Sequence, residues 1–102
     1  MLHDKIYEIK DYQFMGFSGL YSVEFKNTET LFTIGEKAFA NTALRELKLP
    51  DSVRTIKDYA FYNCNRLSNI SMPWGLWTIE HYAFAECSNL SIVSFNENIE
   101  NI

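Results

Sequence analysis

The stretch IKDYAFYNCNRL, from Ile56 to Leu67, decides how this chain folds because the chain repeats it. Twenty-three residues later the sequence reads IEHYAFAECSNL, from Ile79 to Leu90. In both copies an Ala-Phe pair begins four positions after an isoleucine, and the phenylalanine precedes a cysteine by three positions. This spacing fits neither the stripe of an amphipathic helix nor the alternation of a strand. A phrase that recurs at a fixed spacing is typical of proteins built from stacked repeats.

Apolar residues recur in register through three copies of this phrase. The Ala-Phe pairs begin at Ala38, Ala60 and Ala83, so the copies are 22 and 23 residues apart. The recurring residues are Ile34, Leu44, Leu47, Leu49 and Val53 in one copy, Ile56, Leu67, Ile70, Met72 and Leu76 in the next, and Ile79, Leu90, Val93, Phe95 and Ile99 in the last. Each copy therefore offers the same set of residues to a core.

A fourth, degenerate copy lies upstream. It begins at Ile9 and keeps Phe14, but Gln13 occupies the alanine slot and Phe17 occupies the cysteine slot. The segment KNTET lengthens this copy to 25 residues, and atypical terminal repeats are common in stacked arrays. The chain is predicted to be one domain, 1–102, with repeats at approximately 9–33, 34–55, 56–78 and 79–102.

Short alternating segments predict one strand per repeat. In LKL, ISM and VSF the outer residues face one side and the middle residue faces the other. Segments this short are stable only when stacked copies form a parallel ladder with a spacing of about 4.8 Å. The predicted strands are Val23–Phe25, Leu47–Leu49, Ile70–Met72 and Val93–Phe95. The Ala-Phe pairs then lie on the return leg of each coil, where Phe39, Phe61 and Phe84 are predicted to form one buried row.

These residues resemble the BspA-like, or treponemal-type, leucine-rich repeats, whose pattern is roughly Leu-x-x-Ile-x-Leu-Pro-x-x-Val-x-x-Ile-x-x-x-Ala-Phe-x-x-Cys. The segments that match are LRELKLPDSVRTIKDYAFYNC (Leu44–Cys64) and LSNISMPWGLWTIEHYAFAEC (Leu67–Cys87). The resemblance implies an α/β-type right-handed solenoid with short parallel strands on its concave face and short helical or irregular return legs. It also implies adhesion to other proteins, and a cell-surface or secreted location if this chain is a fragment of a larger protein.

Composition and motifs argue against several other functions. The net charge is −4 and the nine Lys and Arg residues are scattered, which disfavours a nucleic-acid interface. The sequence contains neither an apolar run long enough for a membrane helix nor an apolar N-terminal signal core. His3 lies near the start of the chain and His81 stands in a variable slot whose equivalents are Asp58 and Glu36, so both are predicted to be surface histidines rather than general bases. The GFSG segment, Gly16–Gly19, lacks the spacing of a nucleophile elbow. We therefore expect no enzyme activity, no metal site and no cofactor.

The two cysteines occupy one slot of the repeat. Cys64 and Cys87 align with Thr42 and Phe17, and a slot that accepts such different residues is typical of packing. We expect buried free thiols, because cysteine packs as a small hydrophobe. A disulfide between adjacent coils remains an alternative, since neighbouring slots approach the Cα separation of about 5.5 Å that a disulfide requires.

Two tryptophans are the strongest candidates for binding. Trp74 and Trp77 stand where the preceding repeat has Asp51 and Arg54, so the register predicts that both indoles face solvent. Tryptophan is enriched at interface hot spots. The alternative is that the indoles lie flat over neighbouring coils. The other candidate partner-binding residues are Tyr59, Tyr62 and Tyr82 on nearby columns, and Lys48, Ser71 and Ser94 on the concave sheet.

These features favour a non-catalytic protein-binding module of the adhesion type. The alternative is a structural spacer, or a self-associating solenoid fragment without its own ligand. Trp74 and Trp77 are expected to contact either another protein or a second copy of this chain. At the last repeat, which ends in core slots without a cap, either self-association or fraying of the last residues is expected. The apolar residues of that open end are Val93, Phe95, Ile99 and Ile102.

Overall fold

Seven short strands make up the regular structure of the residues that the structure describes. The computed structural model describes residues 7–25 and 30–90, together with the backbone of 92–94. The strands are β1 (Glu8–Ile9), β2 (Thr33–Ile34), β3 (Glu46–Lys48), β4 (Thr55–Ile56), β5 (Asn69–Ser71), β6 (Thr78–Ile79) and β7 (Ile92–Ser94). No helix occurs in these ranges, so the return legs are irregular rather than helical.

The strands form two parallel sheets: sheet A takes one strand from each of the four coils, and sheet B takes one from each of the last three. Sheet A has the order β1-β2-β4-β6 and sheet B has the order β3-β5-β7. Ile34 lies opposite Ile56 in sheet A, and Leu47 lies opposite Ile70 in sheet B, so equivalent repeat positions are neighbours. The predicted parallel stacking of repeats into a solenoid is confirmed.

The strands of sheet B differ from the prediction in two respects. Each observed strand begins and ends one residue before its predicted bounds, and Val23–Phe25 forms no strand. The first coil is longer here, because eleven positions separate Leu20 from Leu31 whereas nine separate Leu44 from Val53. The extra length explains why this coil leaves the register of the ladder.

Sheet A was not predicted. Its strands are Thr-Ile pairs in three of the four coils, with the isoleucine buried and the threonine half-buried. A two-residue segment carries no measurable alternation, so the sequence revealed the isoleucine column without revealing its strand character.

Backbone hydrogen bonds also join the return legs of successive coils. Phe39 N–H donates to Ala60 O, and Phe61 N–H donates to Ala83 O, both at 2.8 Å. Each return leg has two left-handed residues, three and seven positions after the isoleucine of sheet A. They are Tyr12, Lys37, Tyr59 and Tyr82 at the first position, and Gly16, Asn41, Asn63 and Glu86 at the second. These turns present alternate peptide groups to the next coil.

A row of phenylalanines fills the space between the sheets and the return legs. Ring centroids lie 5.3 Å apart for Phe14–Phe39 and for Phe39–Phe61, and 5.2 Å apart for Phe61–Phe84. Phe39 and Phe61 are fully buried, whereas Phe84 is partly buried. The predicted row is confirmed, and it extends into the degenerate first coil through Phe14.

Several predictions fall on residues outside the described ranges. His3 and the apolar residues expected at the open end (Phe95, Ile99 and Ile102) belong to this set. The proposed self-association through the last repeat therefore stays a prediction.

Candidate interaction surface

Both tryptophans predicted to bind a partner are exposed on the loop between sheet B and sheet A. Trp74 is 74% exposed and Trp77 is 63% exposed. Leu76 N–H donates to Pro73 O at 3.2 Å, which closes a turn, and the Leu76 side chain is fully buried. Anchoring by Leu76 leaves the indoles on either side of it to project outward.

Arg54 of the preceding coil holds this loop in place. Its Nη1 donates to Asp51 O, to Ser52 O and, across the coils, to Gly75 O at 3.4 Å. A Cβ atom at Gly75 would overlap the Arg54 guanidinium. Glycine is therefore required between the two tryptophans for the arginine to lie against the loop.

Trp77 ends a row of residues that crosses all four coils. The row, here called the aromatic row, consists of Tyr7, Phe32, Arg54 and Trp77, each two positions before a buried isoleucine of sheet A. Tyr7 and Phe32 are 56% and 41% exposed, and their rings stack at 6.3 Å. Sequence reasoning missed Tyr7 and Phe32, although their constant offset from the isoleucine was a usable signal.

Backbone hydrogen bonds link successive members of the aromatic row. Phe32 N–H donates to Tyr7 O at 2.9 Å, and Arg54 N–H donates to Phe32 O at 2.8 Å. Trp77 N–H donates in turn to Arg54 O at 2.8 Å. The backbone of the row is thus fixed before any partner binds, which lowers the entropic cost of association.

The three candidate tyrosines form a separate cluster. Tyr59 and Tyr82 stack at 5.3 Å, and Tyr62 meets Tyr59 edge-on at 5.5 Å. The ammonium of Lys37 lies between the rings of Tyr12 and Tyr59, 5.7 and 5.5 Å from their centroids. No ring contact among the described residues joins this cluster to Trp77. The structure therefore divides the sequence-predicted aromatic residues between two surfaces.

The candidate residues of the concave sheet lie on sheet B. Lys48 and Ser71 are exposed on β3 and β5, while Leu47 and Ile70 beside them are buried. Ser94 lies on β7, where only the backbone is described. This sheet offers a small polar surface.

The two cysteines are free thiols that bond to backbone carbonyls of the preceding coil. Cys64 Sγ donates to Phe39 O at 3.0 Å, and Cys87 Sγ donates to Phe61 O at 3.1 Å. Burial raises the pKa of the Cys64 thiol, and burial together with the nearby Cys64 raises the pKa of Cys87 to about 11. Both shifts disfavour the reactive thiolate. These contacts assign a packing role to the slot.

Phe17 departs from this packing role. Its side chain is 57% exposed and meets Phe14 edge-on, with centroids 6.1 Å apart. The prediction that Phe17 packs like the cysteines is wrong, because a phenyl ring is larger than a thiol and has no S–H to donate to a buried carbonyl.

The described ranges contain no group of three metal-ligating side chains. Within the same ranges, no helix is long and apolar enough to cross a membrane.

The parallel strands, stacked one repeat apart, define a leucine-rich-repeat solenoid. The family described as BspA type leucine rich repeat region (6 copies) matches this chain over residues 1–102. The chain belongs to this family, whose members are repeat scaffolds that generally serve protein interaction. No functionally curated protein matches the chain.

Two solved structures are similar to this chain. A leucine-rich repeat protein from Bacteroides ovatus is 29% identical with a TM-score of 0.81, over 94% of this chain and 28% of that one. The leucine rich repeat protein of T. pallidum is 30% identical with a TM-score of 0.65, over 76% of this chain and 36% of that one. The chain thus spans little more than a third of the T. pallidum protein and less than a third of the Bacteroides ovatus protein.

Proposed function

We propose that this chain is a non-catalytic protein-binding module of the adhesion type, and that it acts as part of a larger cell-surface protein. Its docking surface is the aromatic row together with Trp74. The observation that carries the proposal is the exposure of Trp74 and Trp77, 74% and 63%, on a loop that Arg54 and the core hold in place.

Exposed indoles on a fixed backbone match the chemistry of interface hot spots. Such residues supply large apolar contact area at a low cost in conformational entropy. The aromatic row extends this area across the coils, so a partner can contact several repeats at once. The family, whose members generally serve protein interaction, supports the same function.

The test is the double variant Trp74→Asp, Trp77→Arg. The preceding coil already carries Asp51 and Arg54 in these slots, so the fold should persist with an unchanged melting temperature. The wild-type chain is first screened against immobilised, purified secreted and cell-surface proteins. Against any protein that binds, the double variant should lose more than about 2 kcal/mol of binding free energy.

Tyr82→Lys is the matched control, because it removes an exposed aromatic residue of the tyrosine cluster and the column already accommodates Lys37. It should leave affinity unchanged. A double variant that melts earlier yet binds normally per folded molecule would show that the indoles serve the fold instead. A second copy of the chain as partner would appear as a monomer–dimer equilibrium in sedimentation, absent in the double variant.

A structural spacer is the second candidate function. It is favoured by the short span of the chain relative to its relatives, 28% and 36% of their lengths. A spacer requires no specific ligand, so the screen would find no partner and the double variant would remain unchanged in every binding measurement.

A further inference from the structure

The hydrogen bonds between return legs all run in one direction along the solenoid. At each junction three N–H groups of one coil donate to three carbonyls of the next coil, at 2.8 to 3.1 Å. The donors are Tyr12, Phe14 and Gly16 in the first coil, Lys37, Phe39 and Asn41 in the second, and Tyr59, Phe61 and Asn63 in the third. Each return leg therefore offers donors to the following coil and acceptors to the preceding one.

The two ends of this ladder carry unpaired groups of opposite kind. In the fourth coil the donor positions belong to Tyr82, Phe84 and Glu86, whose N–H groups donate no hydrogen bond among the described residues. In the first coil the three carbonyls at the acceptor positions likewise accept no hydrogen bond there. They belong to Asp11, Gln13 and Met15. One end thus offers three donors, at the spacing of a normal junction, that match three acceptors at the other end.

Apolar rings accompany the unpaired groups at both ends. In the cysteine slot, Cys64 and Cys87 reach a carbonyl of the preceding coil, so Phe17 in the same slot points past the first coil and is 57% exposed. Its ring meets Phe14, the first member of the phenylalanine row. The last member, Phe84, stacks on the ring before it and is only partly buried. Each end therefore adds apolar surface to its unpaired backbone groups.

We propose that the first coil binds the fourth coil of a second copy of this chain, in a head-to-tail contact that continues the return-leg ladder. Two first coils would present acceptors to acceptors, and two fourth coils would present donors to donors, so neither symmetric pairing satisfies these groups. A head-to-tail contact leaves a free end of each kind on every product, and it generates open chains rather than a closed dimer. The contact uses the return legs, not the loop between sheet B and sheet A, and so goes beyond the function proposed above.

Gln13 limits how tightly this contact forms. In later coils the amide after the sheet A isoleucine donates to the preceding coil, as Gly35 N–H does to Ile9 O at 2.8 Å. In the first coil that amide belongs to Lys10, and it donates to Gln13 Oε1 at 2.8 Å instead. Buried alanines fill the slot of Gln13 in the other coils. The glutamine side chain therefore uses a donor that a second copy could otherwise pair with.

Sedimentation equilibrium over a wide range of concentrations tests the contact. We expect the weight-average mass to rise past that of a dimer without a plateau. Gln13→Ala should strengthen the association by about threefold, because it frees the Lys10 amide and restores the alanine of the repeat. Phe17→Ser should weaken it by about fivefold, because the contact loses a buried phenyl ring.

Two matched controls should leave the association unchanged. Phe32→Ser removes an exposed ring from the side of the solenoid rather than from its end. The double variant Trp74→Asp, Trp77→Arg changes the docking surface proposed above and none of the groups at the two ends. Gln13, Phe17 and Phe32 all have exposed side chains, so these substitutions should leave the fold intact.

A nitroxide spin label identifies which end meets which. Lys10→Cys carries the label on the first coil, and Cys87→Thr, the residue of the second coil in this slot, removes the half-buried thiol, while Cys64 is fully buried. This chain is mixed with ¹⁵N-labelled wild-type chain. The strongest line broadening should fall on the fourth-coil amides, whose hydrogen exchange should also slow as the concentration rises. These amides are those of Tyr82, Phe84 and Glu86.

Three results would overturn the proposal. A mass that stays at the monomer value, or that levels off at a dimer, would exclude open head-to-tail chains. Strongest broadening at first-coil amides would show a symmetric contact between two first coils. Association that the double tryptophan variant abolishes would assign the contact to the docking surface proposed above.

Discussion

Single residues at the centre of each coil contribute most to the packing of this molecule. Phe39 and Phe61 are 0% exposed and stack on one another, with alanines beside them that are also buried. Because a phenylalanine reaches the rings of both adjacent coils, its removal would open a cavity between coils rather than at the surface. The cost of that cavity adds to the lost burial of the ring.

Phe61→Ala should therefore lower the free energy of unfolding by about 3–5 kcal/mol. Phe32→Ala is a matched control, since this ring is 41% exposed and its removal leaves no enclosed cavity. Denaturant unfolding followed by circular dichroism would measure both. Equal effects of the two substitutions would contradict the role assigned to the phenylalanine row.

The half-buried thiol of Cys87 should make stability depend on alkaline pH. Its pKa rises to about 11 in the folded chain, mainly through burial, against an ordinary value of 9.0. The unfolded chain therefore loses the thiol proton first, so the contribution of Cys87 is complete below pH 9 and is lost as the pH rises to about 11. Unfolding measured across this window should show a steeper decline for the wild-type chain than for Cys87→Ala. Parallel profiles would refute this assignment.

Burial at the residue scale was predictable wherever the repeat alignment was unbroken. The exposure of Trp77 and the burial of Phe61 both followed from their slots. The exposure of Phe17 was not predictable in this way. The alignment assigns Phe17 to the cysteine slot, but it does not show that the cysteines of this slot donate to a buried carbonyl, which a phenyl ring does not do. Predicting the aromatic row required knowing that the residue two positions before each buried isoleucine of sheet A faces solvent.

The return leg is the element with the most unusual backbone. Glu86 has φ 62°, a left-handed conformation that is costly for a residue with a Cβ atom. Its side chain is exposed, so its backbone can be tested without disturbing the core.

Glu86→Gly should raise the free energy of unfolding by about 0.5–1 kcal/mol, the strain released less the entropy of glycine. Glu86→Ala keeps the Cβ atom and should bring no gain. Glu80→Gly, at a position without positive φ, should be destabilising. Thermal melts of the three variants would show whether the sign of the stability change follows the φ angle at the substituted position.

At the scale of elements, the sequence predicted the ladder of sheet B more completely than the rest. Three-residue alternation marked β3 and β5, and the parallel direction followed from stacking. The two-residue strands of sheet A were too short to carry a pattern, and their pairing depends on contacts between coils. The absence of a sheet B strand at Val23–Phe25 depends on the length of the following loop, and strand propensity carries no information about that length.

At the scale of the whole molecule, each coil is held by its contacts with the coils next to it. Sheet A and the return legs bond each coil to the next, and sheet B bonds the second, third and fourth coils. A pull between handles at residues 7 and 90 acts along the direction of these bonds, so the bonds open in sequence. We expect stepwise unfolding in optical tweezers, each step releasing one coil of about 75 Å contour length. A single step that releases all coils together would contradict this expectation.

Tension between the two ends of the solenoid has a consequence if the chain acts in adhesion. The hydrogen bonds between coils lie along the solenoid axis, so tension peels them one after another instead of shearing a whole ladder at once. The chain would then behave as an extensible tether, which lengthens under flow and keeps the load on a bound partner low. In a protein with many such repeats, the first coils to open would protect the contact surface on the coils that remain closed.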